Sequence, residues 1–169
     1  NNCKKLFLSK RKSKIKFVRL ACHLHEVYHL KNVIKDLKNK DFIVCINLMQ
    51  ISEIKKSEII KVCEFLKKTN TDVLYMADSL GSLNPRKTAS LIKNFKKNWN
   101  SDIGFHAHNN LKLAFRNAIK ASTLGLKWID STISGMGRGP GNLITEDILG
   151  HIYKNKRKKF FSKKIENYF

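Results

Sequence analysis

Residues 73–108 read VLYMADSLGSLNPRKTASLIKNFKKNWNSDIGFHAH and contain one complete repeating unit of this chain. Val73–Ala77 and Ile103–His108 are short apolar runs with the length and composition of buried strands. Between them, Asn84 and Pro85 predict a helix start, because they combine a capping side chain with a proline at the first helical position. The segment therefore predicts a strand, a helix and a second strand parallel to the first.

The same unit recurs along the chain. Three more apolar runs complete a series of five, and their starts lie roughly 25–31 residues apart: Ile15–Ala21, Phe42–Leu48 and Trp128–Ile133. Repeated strand–helix units are typical of an open doubly wound sheet or a (β/α)8 TIM barrel. A complete barrel takes about 250 residues, whereas this chain has 169. The pattern predicts an α/β fold, and a barrel built from it would be incomplete.

Basic residues concentrate at the two ends of the chain. The formal net charge is +21, from 34 basic and 13 acidic residues, and residues 1–16 and 154–169 each hold seven of the basic ones. We predict a basic N-terminal segment (1–16), a catalytic domain (17–153) and a basic C-terminal helix or tail (154–169). Only 6 of the basic residues are arginine, which favours solvated surface lysines and argues against a nucleic-acid partner.

The composition also bears on compartment. No apolar run reaches the roughly 18–20 residues that a membrane-spanning helix needs, so we expect no membrane partner. The four cysteines, at positions 3, 22, 45 and 63, form no CxxC pair. Free buried thiols in a reducing, cytoplasmic environment are the expected state.

The clearest chemical motif is the pair His106 and His108 at the end of the fourth predicted strand. Side chains two residues apart on a strand point to the same side, and two neighbouring imidazoles suit a divalent metal. Ordinary hydrogen bonds at a strand end are the alternative.

A glycine-rich stretch follows the fifth run, DSTISGMGRGPGN at 130–142. Gly137 and Gly139 would let a ligand approach the backbone closely, Arg138 could bind a substrate carboxylate, and Asn142 offers an amide oxygen as a ligand. The spacing is not GxGxxG, so a dinucleotide site is disfavoured. A surface loop with a solvated arginine is the alternative.

Further polar residues follow the other predicted strands. Asp78 and Ser79 come directly after the third, Asn47 ends the second, and Arg19 lies on the first. In a parallel α/β protein these strand ends share one rim, where such folds build their active sites. An Asx turn at Asp78 and strand-end capping by Asn47 and Arg19 are the alternatives.

The motifs ADSLG, FHAHNN and DSTISGMGRGPGN, followed by Glu146, resemble the metal-dependent aldolase and acyl-lyase superfamily. This is the HMG-CoA lyase-like group with a pyruvate carboxyltransferase-type domain. The GMGRG form is most similar to its 4-hydroxy-2-oxovalerate aldolase branch. The resemblance covers roughly residues 15–153 and implies a TIM barrel with one divalent metal, Mn²⁺ or Mg²⁺.

The resemblance also implies residue roles. His106, His108 and Asn142 match metal-ligand positions, Asp78 and Arg138 are expected to be catalytic, and the expected substrate-binding residues are Asn47, Ser79, Gly137 and Gly139. The implied reaction makes or breaks a carbon–carbon bond at a small 2-oxo acid. The metal would stabilise a pyruvate enolate as a Lewis acid.

One element of the family pattern is missing from this sequence. The family's remaining ligand is the aspartate of an Arg-Asp-Gly motif on the first barrel strand, which does not occur here. The resemblance thus implies that the first two strands are absent and that two strand edges are open. Expected partners are a second copy or a second chain supplying those strands. A Claisen-type acyltransferase of the same superfamily and an inactive remnant whose basic ends bind an acidic partner are the alternative functions.

Overall fold

The computed structural model describes Phe7 and residues 13–153. The predicted C-terminal segment 154–169 and most of the N-terminal segment 1–16 lie outside the described residues, so these two boundaries stay predictions. The described residues include almost all of the predicted catalytic domain and all five expected strands.

Five parallel strands form one sheet in chain order. Each predicted apolar run overlaps one strand, which confirms the α/β prediction, although the bounds differ by a few residues at the ends. Parallel neighbours are connected by helices, as such pairing requires. The strands are β1 (Phe17–Cys22), β2 (Ile43–Leu48), β3 (Val73–Asp78), β4 (Asp102–Ala107) and β5 (Trp128–Asp130).

A helix follows each strand. The predicted start at Asn84 is confirmed, because its side chain accepts a hydrogen bond from the backbone N–H of Lys87 and Pro85 is the first helical residue. Short 3₁₀ turns occupy Val27–Leu30, Ile51–Glu53 and Ile133–Gly135. The helices are α1 (Lys31–Lys38), α2 (Lys56–Lys67), α3 (Pro85–Asn98), α4 (Ala114–Thr123) and α5 (Thr145–Tyr153).

The main hydrophobic core lies between the sheet and the helices. Alternate residues of the strands point into it, as the two-residue period of a strand requires. Representative members are Val44, Ile46, Leu74, Met76 and Phe105, each at most 1% exposed, which pack against helix residues such as Ile34, Leu66, Ile92 and Ala118.

A smaller apolar cluster covers the opposite face of the sheet. Cys45, Val73 and Tyr75 are buried there and pack with Phe17 and Trp128. Phe17 lies on β1 and Trp128 on β5, the two edge strands, yet their ring centroids are only 5.4 Å apart. The sheet is therefore curled so that its two edges meet through side chains across the inner face. This is the geometry of a partial barrel rather than of an open sheet.

Cys22, Cys45 and Cys63 are buried free thiols, and burial raises the pKa of Cys63 to about 11. Cys3 lies outside the described residues. Within the described part of the chain, no helix combines the length and the apolar character that a membrane span requires.

Candidate active site

His106 and His108 lie at the carboxyl end of β4, on the inner face of the curled sheet. In the strand register His106 is opposite Ala77, which shares that face with Tyr75. The two imidazole centroids are 5.1 Å apart, with an interplanar angle of 70°. The structure thus brings the two predicted histidines together at the mouth of the partial barrel.

The glycine-rich stretch folds back onto this end of β4. His108 and Asn142 form an antiparallel bridge, and the backbone N–H of Leu143 donates to the carbonyl of Ala107 over 3.1 Å. Gly141 has φ of +81°, and a Cβ there would lie 2.2 Å from the carbonyl oxygen of Gly135. Only glycine fits this turn, which is why the spacing of glycines delivers Asn142 to the histidines.

The side chain of Asn142 is oriented but only half satisfied. Its Nδ2 donates to the carbonyl of Met136 over 2.9 Å, while its Oδ1 is buried without a hydrogen-bond partner. Gly137 allows this arrangement, since a Cβ at that position would lie 2.5 Å from the Asn142 Nδ2. A buried carbonyl oxygen without a donor is costly, and a cation at that position would satisfy it.

Arg138 and Gly139 form the outer part of the same loop. Both are exposed, and a Cβ at Gly139 would meet no atom within 4 Å. The pKa of His108 lies below its ordinary value, chiefly because of burial and further because of the charges of His106 and Arg138.

Asp130 joins the group through a contact that the sequence did not reveal. Its Oδ2 lies 2.9 Å from Nδ1 of His106, and both of its oxygens accept from the guanidinium of Arg19, with Nη2 to Oδ1 at 2.9 Å. Burial opposes ionisation of Asp130, but the hydrogen bonds from His106 and Arg19 hold its pKa below the usual value. In the strand register Asp130 is opposite His106, so the two side chains share the inner face.

Asp78 is not part of this group. It follows Leu74 and Met76 onto the helix side of the sheet, and it is 0% exposed. Its carboxylate accepts from the backbone N–H groups of Ser82 and Leu83, both over 3.1 Å. Burial raises its pKa, against these hydrogen bonds. The contacts of Asp78 are those of a residue that shapes the turn after β3, the alternative that its sequence context had left open.

The remaining candidates occupy the ends of β2 and β3. Asn47 is opposite Tyr75 in the register, hence on the inner face, and its Oδ1 is buried without a hydrogen-bond partner. The hydroxyl of Ser79 accepts from the backbone N–H of Gln50 over 3.0 Å. Asn47 can therefore face a ligand in the barrel mouth, while Ser79 connects two neighbouring loops.

The donors collected at the mouth are two imidazoles and one amide oxygen. Among the described residues, no group of three or more His, Cys, Asp or Glu side chains is placed to hold a metal ion. The set fits a divalent metal in part, because imidazole and amide oxygen are suitable ligands. It provides three neutral ligands, and a hard cation also favours carboxylate oxygen.

Comparison with known proteins agrees with this geometry. The HMGL-like family model matches residues 8–166. A 4-hydroxy-2-oxovalerate aldolase of Pelotomaculum thermopropionicum is 32% identical over 83% of this chain and 41% of the relative. One from Bacillus thuringiensis is 31% identical over 79% of this chain and 39% of the relative. The chain thus spans about two fifths of the length of these relatives.

Solved structures show the same fold. The N-terminal domain of a putative aldolase from Bacteroides vulgatus superposes with a TM-score of 0.80 at 30% identity, over 90% of this chain and 51% of that one. An HMG-CoA lyase from Bacillus subtilis superposes with a TM-score of 0.75 at 19% identity, over 83% of this chain and 56% of that one. Together with the curled parallel sheet, these likenesses confirm the prediction of a partial TIM barrel.

Proposed function

The chain belongs to the HMGL-like family, and from this membership we propose that it carries the metal- and substrate-binding half of a divalent-metal-dependent aldolase acting on a 2-oxo acid. The observation that supports the proposal is that β4 and the loop after β5 bring three potential ligand residues to the same end of the sheet. His106 and His108 come from β4, and Asn142 is bridged to His108 by the loop after β5. Independent turn residues would have no reason to converge.

His106, His108 and Asn142 are the residues that would hold Mn²⁺ or Mg²⁺. Asp130 occupies Nδ1 of His106, which leaves Nε2 available as a ligand atom. The Oδ1 of Asn142, buried without a donor, provides an oxygen ligand. A divalent cation bound there supplies Lewis-acid stabilisation of the negative charge that develops on a 2-oxo acid during carbon–carbon cleavage.

The chain's other residues would bind the substrate. Arg138 is exposed beside His108, so its guanidinium can bind a carboxylate of the substrate. Asn47 has a buried Oδ1 without a partner on the inner face and can accept from a substrate hydroxyl. The open space at Gly139 leaves room for a bound molecule next to the loop backbone. Ser79 would act by tying the loops together, and Asp78 by holding the turn that contains Ser82 and Leu83.

The proposal is tested by measuring Mn²⁺ binding and pyruvate release from 4-hydroxy-2-oxovalerate with the full-length protein. We expect His106→Ala to abolish both, since one of the two imidazole ligands is lost. His151→Ala is the matched control, because His151 lies on α5 and packs edge-on against Phe115. That variant should bind and react like the parent.

Three results would contradict the proposal in different ways. Unchanged metal content and activity in His106→Ala would exclude the metal site. A requirement for an acyl-CoA would identify the acyltransferase alternative. A parent protein that binds neither Mn²⁺ nor the 2-oxo acid would favour a protein without catalytic activity.

A further inference from the structure

We propose that Arg19 and Asp130 form a positioning pair that sets the ring orientation and the tautomer of His106. The expected change in Mn²⁺ affinity rests on the proposed function, whereas the expected tautomer of His106 does not. Neither residue is a predicted metal ligand or a predicted substrate-binding residue. Both lie on the inner face, where they connect the two edge strands of the sheet to the central histidine.

The contacts of Asp130 favour its ionised form. Its carboxylate accepts from both terminal nitrogens of Arg19, and a bidentate contact with a guanidinium stabilises the charged carboxylate. An ionised carboxylate can only accept hydrogen bonds. The 2.9 Å contact to His106 therefore requires Nδ1 to carry the hydrogen, and in the neutral imidazole the lone pair is then on Nε2.

Packing restricts the movement of the pair. The Arg19 guanidinium lies 3.9 Å from the centroid of the Tyr75 ring, so one of its faces is covered by an aromatic side chain. A planar guanidinium that is both stacked and bidentate has few alternative positions. Asp130 is 20% exposed and Arg19 31%, so solvent does not reach the pair from all sides. These contacts hold the carboxylate, and through it the imidazole, in one orientation.

The pair connects two strands that are not neighbours in the sheet. Arg19 belongs to β1 and Asp130 to β5, at opposite edges of the sheet. They meet only because the sheet is curled, so the orientation of His106 depends on closure of the inner face. Outer groups that orient a metal-binding histidine typically change metal affinity by about 10–100-fold.

The direct test is histidine-selective ¹⁵N NMR of the full-length protein without metal, which distinguishes the Nδ1–H from the Nε2–H tautomer. We expect His106 in the parent to be the Nδ1–H tautomer. Asp130→Ala should convert it to the mixture that a solvated imidazole shows. Arg19→Met should shift it in the same direction by a smaller amount, and Arg19→Lys should restore part of the parent state.

The control removes an ion pair of similar burial outside the site. Lys38 contacts Asp72 over 2.6 Å, on the first helix and the loop before β3. Lys38→Met should leave the His106 spectrum unchanged. If Asp130→Ala does not fold, Asp130→Asn and Arg19→Met decide, since Asn keeps one acceptor oxygen and Met keeps the length of the side chain.

Mn²⁺ affinity provides the second readout. We expect a loss of about 10–100-fold in Asp130→Ala and no loss in Lys38→Met. A parent-like tautomer in Asp130→Ala and Arg19→Met would overturn the proposal, since the pair would then connect the two edge strands without orienting His106. A parent that binds no Mn²⁺ but shows the expected tautomer change would overturn the proposed function and leave the positioning pair intact.

Discussion

Replacing Gly104 with alanine should destabilise the protein, because the added Cβ would collide with the ring of Tyr75 on the inner face. A Cβ at this position would lie 2.4 Å from Cε1 of Tyr75. Carbon atoms normally approach to about 3.5–4.0 Å, so the ring would have to move by about 1 Å. Overpacking of this kind costs about 1–3 kcal/mol, whereas replacing a glycine in a strand returns about 0.5–1 kcal/mol of backbone entropy. The expected net loss is about 0.5–2 kcal/mol.

Equilibrium urea unfolding measures this change. With a slope of about 1–3 kcal/mol per M, the midpoint should fall by several tenths of a molar unit. Gly150→Ala is the matched control, because a Cβ at Gly150 in α5 meets no atom within 4 Å, and it should gain up to about 1 kcal/mol as a helical alanine. In a Tyr75→Leu background, Gly104→Ala should cost less, since the colliding ring is gone. A Gly104→Ala midpoint at or above that of the parent would refute the reasoning.

Three further changes test other parts of the structure. Asp78→Ala should lower the free energy of unfolding by about 2–4 kcal/mol in urea titrations, because two backbone N–H groups lose their acceptor; a loss below about 1 kcal/mol would argue against that role. Gly137→Ala should weaken Mn²⁺ binding at least about tenfold with little loss of stability, because the new Cβ would lie 2.5 Å from the Asn142 Nδ2; calorimetry showing equal affinity would contradict this. Because the pKa of His108 is lowered in the folded protein, its contribution to the free energy of unfolding is complete above the unfolded-state pKa of about 6.5 and is lost as the pH falls below that value. His108→Gln should therefore make the urea midpoint less dependent on pH between pH 7.5 and 5, and an unchanged pH dependence would exclude the effect.

Strand positions could be predicted from the sequence because parallel strands buried on one or both faces are nearly continuous apolar runs. The errors lie where local turn geometry overrides hydrophobicity. The fifth run was predicted to reach Ile133, but β5 ends at Asp130, and Ser134 adopts φ of 52° in the turn that follows. Leu111 is not part of the helix after β4. That helix begins at Ala114, because Lys112 adopts a left-handed φ of 56°, and Leu111 is left 56% exposed.

The candidate site was predictable to the extent that its members share one strand or one loop. His106 and His108 follow from a two-residue spacing, and Asn142 follows from the glycines around it. The expectation for Asp78 placed it on the correct rim without considering which face of the strand it occupies. Counting by twos from Leu74 and Met76, both in the main core, assigns Asp78 to the helix side. The two-residue period of the strand therefore predicts the face on which Asp78 lies, whereas its location at the strand end predicts only the rim.

The contact between Arg19 and Asp130 could not be predicted in the same way, because it depends on how far the sheet curls. Phe17 and Trp128 lie two residues before them on the same edge strands, so the two contacts form successive layers of the inner face. The apolar layer, with ring centroids 5.4 Å apart, holds the strand edges at the separation at which the ion pair forms. A partly exposed ion pair contributes little to stability by itself. The packing of Phe17 against Trp128 therefore determines whether the ion pair can form. The orientation of His106 is therefore determined in part by two aromatic side chains that no catalytic motif contains.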